Sequence, residues 1–582
     1  MILDILTQAK TLELLLKLFE NRNEEISFLE RRAQKAPYGD FSPAARPLPR
    51  CAPEEQGIAS ARLEAFFRDI AADETIHAHT VLVLRGGRVI AEGSFAPYRP
   101  DVWHVSHSLC KSVTALAVGL LFDDGKIRLS DRAAALLGYK NPLPGRFPQG
   151  RITVKHLLTM SSGVAFNEAG GVTEKDWVKC FMRSAVKFEP GSTFQYNSMN
   201  SYILSAIVRS VTGAPMSELL RERLFGPMGI ERFHWETCPQ GIDKGGWGLY
   251  MLPEDIARLG QLCLDGGMWE GRRLLSRRWL GIMARKFFDV PDTMGDYGYG
   301  AHVWLGQRPG SYIFNGMLGQ NCIVLPDLNM VLVTTAGNSD LFQKSRLVTL
   351  AERYFGDGFD PPDALPPDVT GAARLREYTA SLGFRDGGAA CPPQMRHLAG
   401  KRFALTQQYA SILPLFQQVL QNSYSCGVSE LSFECGEGAP TVTFLEGGRA
   451  YRFEIGFDKP AYAVLQFGEE VYSVAVCGEW RENEDGLPVL KLRIAYLELA
   501  NERRIKLFVQ PDGGLLTEWF ETPGRDMMNE GIATVVSGSG KSRLKDLLLP
   551  GGDNDYLQYR VTRTLEPKIP ARPVGAEERD GR

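Results

Sequence analysis

Among its ten cysteines the chain has no C-x-x-C pair, which argues against a zinc ribbon and a thioredoxin-type redox pair. Charge of one sign is not in excess. A net charge of -3 over 582 residues provides no basic field for nucleic acid and no reason to expect an acidic membrane as partner. Long apolar runs are missing as well, and the mostly apolar stretch from Val113 to Phe122 is too short to span a bilayer. The start, Met1 to Glu20, interrupts its leucines with Asp4, Glu13 and Glu20, and lacks the basic opening and small-residue cleavage site of a signal peptide. These absences lead to the expectation of a reduced, cytoplasmic protein with no membrane span, and leave homo-oligomer formation open.

Several catalytic motifs are also absent. There is no G-x-S-x-G elbow; Gly337-Asn338-Ser339-Asp340-Leu341 comes closest and lacks the final glycine. Neither H-E-x-x-H nor G-x-x-x-x-G-K occurs. The histidine pairs His77/His79 and His104/His107 are not assigned to a metal, because His-x-His on a strand is more often structural.

What the chain does have is a composition close to soluble globular averages, 44% hydrophobic and 23% charged, at a length that exceeds one core. The stretch from Ile2 to Arg32 sets Leu12, Leu15, Leu16 and Phe19 at helical spacing. It is followed by a proline-rich connector, Pro37 to Pro53. From His79 the period becomes two, and HTVLVLRGGRVIAEG reads as a hairpin turning at Gly86-Gly87. Helical segments follow, opening at Ser108, Val154, Met199 and Pro253. Strands return at Tyr312 to Phe314, Cys322 to Leu325 and Met330 to Thr335, and Leu341 to Phe355 reads as a closing helix. Strands at both ends of a helical block imply an antiparallel α+β sheet flanked by helices, with a helical subdomain. Beyond it, seven short strand-like runs between Thr441 and Phe520 suggest a smaller all-β barrel. The expected division is an N-terminal helical extension over 1–46, a main domain over 47–356, a linker over 357–395, the β-domain over 396–536 and a flexible tail over 537–582.

The segment that carries chemistry is HVSHSLCKSVTALAVGLLFDD. Ser108 and Lys111 form S-x-x-K at the start of an apolar helix, and residues three apart share a helix face. A serine needs a neighbouring base, and a lysine serves where burial disfavours its charged form. The same spacing recurs at Ser184/Lys187 and Ser542/Lys545, but neither serine opens a long apolar helix. Tyr196, after a Pro-Gly turn and before another apolar helix, supplies a second proton carrier, since a nearby ammonium favours its phenolate.

Ser108-Leu109-Cys110-Lys111 followed by Tyr196-Asn197-Ser198 resembles the S-x-x-K and Y-x-N pair of the class C β-lactamases, penicillin-binding proteins and related esterases. CAPEEQGIASARLEAF, the hairpin, VKHLLTMSSGV, and GGWGLYMLPEDIARLGQLCLDGGMWEGRRLLS are similar to segments flanking these sites in that superfamily. The resemblance implies a β-lactamase-like fold and a serine hydrolase that acylates Ser108, with no metal and no cofactor.

Two departures stand out. Ser198 occupies the asparagine position of Y-x-N, with Asn197 and Asn200 as nearby substitutes. On the late strand YIFNGM, aligning Gly316 with the glycine of the third family motif puts Phe314 and Asn315 where a cation and a hydroxyl residue usually stand. Met317 and Ser108 N–H groups would then form the oxyanion hole. Loss of the cation removes carboxylate recognition and favours an uncharged small-molecule ester, amide or peptide-like substrate over a β-lactam. The alternative is a ligand-binding or scaffold member that has lost efficient turnover.

Overall fold

The computed structural model describes residues 2–26, 46–139, 148–383, 391–436, 438–522, 524–525 and 554–575. These fall into two compact units, one of residues 2–7 and 46–383, the other of residues 8–26 and the described residues from 391 onward. The first helix, Ile2–Phe19, buries Thr11, Leu14 and Leu18, while the leucines at 12, 15 and 16 are only half-buried.

In the first unit a six-stranded antiparallel sheet runs in the order Arg88–Ser94, Ala78–Arg85, Met330–Ala336, Gln320–Leu325, Tyr312–Gly316, Trp304–Leu305. The hairpin turns at Gly86 and Gly87, both at positive φ (59° and 73°), as a type I′ turn requires. The strand Ala78–Arg85 pairs with Met330–Ala336, Val83 opposite Leu332, which joins the two distant segments. Side chains alternate across a strand, so one apolar run serves two cores. Val81 and Val83 join Ile313, Ile323 and Leu332 on one face, beneath the helices Ser60–Ala72 and Arg346–Phe355. Leu82 and Leu84 join Phe314, Val324 and Val333 on the other, where the helix Cys110–Asp123 packs. That helix is apolar nearly all round because it is buried from Cys110 to Leu121.

The expected linker is not featureless. Val369–Ser381 is a helix whose N-cap Asp368 accepts from Gly371 N at 2.8 Å, and which docks through buried Leu375 and an Arg374–Glu64 ion pair. Flanking prolines and glycines hid it from a pattern reading.

In the second unit ten antiparallel strands form a nearly closed barrel, ordered Arg449–Glu454, Thr441–Glu446, Val428–Glu434, Arg402–Leu405, Lys568–Pro573, Leu515–Thr522, Glu502–Val509, Pro488–Tyr496, Glu470–Glu482, Ala461–Phe467. The two edge strands meet through stacked Tyr451 and Phe467 rings, 5.9 Å apart. Residues 554–575, expected in a flexible tail, supply a helix, Asn554–Leu565, and the strand Lys568–Pro573. This strand lies between two others despite Pro570 and Pro573, with Ile569 and Ala571 buried on its inner face. Residues 537–553 lie outside the described residues, as does the Ser542/Lys545 pair.

Candidate active site

The strand His104–Val105 pairs with Leu249–Met251, and Ser106 is tied to the same strand by two bonds to the Leu249 carbonyl, from its N–H at 2.8 Å and its hydroxyl at 2.9 Å. The chain then turns sharply. His107 adopts φ 45°, a left-handed conformation that costs a non-glycine residue backbone strain. Ser108 follows in a 3-10 turn, His107–Leu109, which runs directly into the helix Cys110–Asp123.

At this junction Lys111 Nζ donates to Ser108 Oγ at 2.6 Å and to the Gly246 carbonyl at 2.7 Å. Lys111 is buried, whereas Ser108 is half-exposed. The helix is fastened around the pair: Ser112 Oγ donates to the His302 carbonyl at 2.5 Å, Thr114 Oγ1 to the Gly245 carbonyl at 2.7 Å, and Trp279 Nε1 to the Ala115 carbonyl at 3.0 Å.

Tyr196 comes to this place from the start of the helix Met199–Thr212. Its ring centroid lies 5.0 Å from Lys111 Nζ. Tyr299, Trp304 and Phe342 surround the ring at centroid distances of 6.3, 5.6 and 5.6 Å.

Three further candidates bond to protein groups around this place. Asn197 is buried; its Nδ2 donates to the Val164 and Phe166 carbonyls at 3.0 and 2.9 Å, and its Oδ1 accepts from Met199 N at 2.9 Å. These bonds shape the loop that carries Tyr196 and occupy both amide donors. Ser198 holds the N-cap position without a capping bond from its side chain, its N–H donating to Glu168 Oε1 at 2.8 Å. Asn315 donates across the sheet to Asn321 Oδ1 at 2.8 Å, and Asn321 in turn donates to Thr334 Oγ1 at 3.1 Å.

Gly316 sits hard against the Ser108 turn. A Cβ there would lie 2.3 Å from the Ser106 carbonyl oxygen and 2.9 Å from Leu109 N. The next residue, Met317, is half-exposed and begins a turn in which Leu318 takes φ 68° and donates its N–H to the Asp340 carbonyl at 2.5 Å. Phe314, in the motif's cation position, is 0% exposed in the core. Ser184 ends the helix Trp177–Arg183 in extended conformation, so Lys187 is not one helical turn from it.

Sequence reasoning missed the Gly246 carbonyl, the aromatic walls around Tyr196, and His302. The last donates from Nδ1 to the Leu158 carbonyl at 2.8 Å and lies 2.9 Å from Ser201 Oγ through Nε2. Burial, and then the Lys111 charge, push its pKa down to about 3, so it is a neutral brace. A carbonyl leaves no trace in a residue pattern, and only the run Gly245-Gly246-Trp247-Gly248 marked the place. Among the described residues no group of three or more His, Cys, Asp or Glu side chains is arranged to hold a metal, and no helix is long and apolar enough to cross a membrane.

Residues 63–349 match the Beta-lactamase family model. That segment belongs to the β-lactamase family. Among its relatives is the 6-aminohexanoate-dimer hydrolase of Paenarthrobacter ureafaciens, 29% identical over 280 residues, 43% of this chain and 70% of that protein. Penicillin-binding protein 4 of Amycolatopsis lactamdurans is 24% identical over 351 residues, 52% of this chain and 89% of its own. Esterase EstB of Burkholderia gladioli is 25% identical over 197 residues, 29% of this chain and 50% of its own. A penicillin-binding-protein homologue from Caulobacter crescentus, known as a crystal structure, aligns at 19% identity with a TM-score of 0.43, covering 51% of this chain and 96% of that one.

Proposed function

We propose that this member of the β-lactamase family is a serine hydrolase that forms an acyl-enzyme on Ser108 and releases it to water. The observation that carries this reading is the 2.6 Å contact between Lys111 Nζ and Ser108 Oγ at the head of a helix buried from Cys110 to Leu121. Ser108 Oγ attacks an ester or amide carbonyl as its proton passes to the Lys111–Tyr196 pair. The tetrahedral intermediate collapses with expulsion of an alcohol or amine, which takes the proton back. Water then attacks the acyl-enzyme, losing its proton to the same pair, and Ser108 is regenerated. Ser108 and Met317 N–H groups are assigned to the oxyanion, a role supported by the close approach of Gly316 to the Ser106–Leu109 turn.

Substrate class follows from what stands on the late strand. Phe314 is buried in the core and the Asn315 amide bonds to Asn321, so neither supplies a cation for a substrate carboxylate. Uncharged esters and amides fit this site better than β-lactams. Among the relatives an esterase supports an ester substrate and a 6-aminohexanoate-dimer hydrolase an amide one.

The test is covalent labelling with a fluorophosphonate probe, followed by the burst with nitrophenyl acyl esters and a comparison with nitrocefin. Labelling lost in Ser108→Ala, and an ester burst well above nitrocefin turnover, are the expected results. A folded protein that gives neither label nor burst is a non-catalytic member of the family.

A further inference from the structure

Lys111 makes one contact that the proposed chemistry does not use, the 2.7 Å bond to the Gly246 carbonyl. Gly246 lies within Lys244-Gly245-Gly246-Trp247-Gly248-Leu249-Tyr250, a stretch rich in glycine because its surroundings forbid a Cβ. Gly245 and Gly248 have φ of 63° and 80°. A Cβ on Gly245 would lie 2.6 Å from the Ser201 carbonyl oxygen, one on Gly246 2.7 Å from that of Ser198, and one on Gly248 2.8 Å from Glu236 Cβ. Backbone of this kind has no side chains of its own to fix it and is conformationally permissive. Something else must hold the Gly246 carbonyl still.

Part of the hold comes from Thr114 Oγ1 on the Gly245 carbonyl at 2.7 Å and Trp235 Nε1 on the Trp247 carbonyl at 3.1 Å, and the rest from one carboxylate. Glu236 Oε2 forms an ion pair with Lys244 Nζ, and Glu236 Oε1 accepts the Tyr250 hydroxyl at 3.1 Å, so one side chain grips both ends of the stretch. The Lys244 and Glu236 side chains are 3% and 5% exposed. Backbone bonds complete the grip: Glu236 N to Gly248 O at 2.8 Å, and Lys244 N to Glu236 O at 2.9 Å. A buried ion pair is costly to desolvate, and a well-packed apolar pair often serves stability as well or better. Its gain here is a defined position for the loop between the two residues.

We infer that Glu236 and Lys244 are positioning residues, a clamp that presses the Gly246 carbonyl onto the Lys111 amine and thereby sets where that amine stands against Ser108. The inference rests on the hydrolase reading. A loosened clamp displaces the amine from Ser108, whichever of the two charges has been removed. The other titratable groups around Lys111 leave this signal readable. Burial pushes His107 and His302 down to about 3 and Cys110 up to about 12, and the Tyr196 ring also faces the amine.

The experiment measures the rate of Ser108 labelling by a fluorophosphonate against pH, in wild type, Glu236→Gln, Lys244→Met and the double variant, with Ser108→Ala as blank. A clamp requires all three variants to label roughly ten- to a hundredfold more slowly, the range expected of a small misplacement. It also requires the midpoint of the rising limb to move the same way in every one, whichever charge has been removed. Plain through-space charge makes the opposite demand: loss of the Glu236 anion shifts the midpoint down, loss of the Lys244 cation shifts it up, and the double variant restores it. That pattern, or folded variants with wild-type rates and profile, overturns the clamp. The double variant leaves no unpaired buried charge and keeps the comparison readable where a single variant does not fold. Wild-type protein that never labels Ser108 refutes the hydrolase reading instead, which separates the two failures.

Discussion

The Tyr196 ring lies over Lys111 Nζ, centroid to nitrogen 5.0 Å, and Tyr299, Trp304 and Phe342 hold it there. Ring and hydroxyl therefore contribute separately. The ring's face attracts the cation, whereas the hydroxyl is the group assigned to proton transfer. Tyr196→Phe keeps the first and removes the second. It is expected to melt at the wild-type temperature and to lower the ester burst rate by about two to four orders of magnitude. Tyr196→Ala removes both and also loses packing against the three rings, so its melting temperature falls as well. A Tyr196→Phe protein with an unchanged burst rate rules out the proposed role of the hydroxyl.

Gly316→Ala tests how the late strand meets the Ser108 turn. The added methyl would stand 2.3 Å from the Ser106 carbonyl oxygen and 2.9 Å from Leu109 N, backbone atoms that cannot swing away. A loss of about 1–3 kcal/mol is expected from such overpacking, together with loss of Ser108 labelling. Gly281→Ala is the control. That glycine sits in the helix Arg277–Met283 with open space around its missing Cβ, and alanine there is expected to be neutral or mildly stabilising. Thermal unfolding beside probe labelling reads both variants. Equal stability in the two refutes the steric account.

How much of this was legible beforehand depended on whether a feature is a pattern of side chains or a meeting of backbones. Ser108 and Lys111 were readable because spacing along a helix becomes spacing in space. Gly86-Gly87 was readable because only one common turn wants two positive φ values in succession. Asn197 and Asn315 looked like substrate ligands in sequence, yet their amides bond to protein groups, a distinction decided by neighbours distant in the chain. The strand Lys568–Pro573 was hidden by its prolines, which normally argue against an inner strand. The Gly246 carbonyl had no side chain to announce it.

In the barrel, Glu521 accepts the N–H groups of Leu415 and Phe416 at 2.8 and 3.4 Å, at the start of the helix Leu415–Gln421, and pairs with Arg503 at 3.1 Å. Arg503 also donates to the Leu413 carbonyl at 3.2 Å. Both side chains are nearly inaccessible, 4% and 1% exposed. Removing one leaves a buried charge without its counter-ion, so Arg503→Met or Glu521→Leu is expected to cost about 3–5 kcal/mol. The double variant should recover part of that loss, since the residues act as a pair. Hydrogen exchange of amides in Glu502–Val509 and Leu515–Thr522 follows the effect locally. Strictly additive losses in the double variant would show that the two charges act independently.

Glu352 gives a pH test unconnected with catalysis. It lies in the helix Arg346–Phe355 beside a small cavity of about 20 Å³ lined by Ile313, Ile323 and Leu325. Burial, then the charges of Asp296 and Asp357, push its pKa up to about 7. An unfolded glutamate titrates near 4.3. Between these values the folded chain keeps a proton that the unfolded chain has released, so raising the pH through this window progressively disfavours the folded state; above about 7 the penalty is complete. Glu352→Gln cannot ionise and escapes it. The variant is therefore expected to match wild type near pH 4 and to exceed it at pH 8 by roughly 1–2 kcal/mol, a figure reduced from the full linkage value because part of the carboxylate meets solvent. Melting temperatures at the two pH values decide the matter. A stability difference that is the same at both would mean that Glu352 titrates alike in the folded and unfolded chain, its surroundings solvating the carboxylate rather than resisting it.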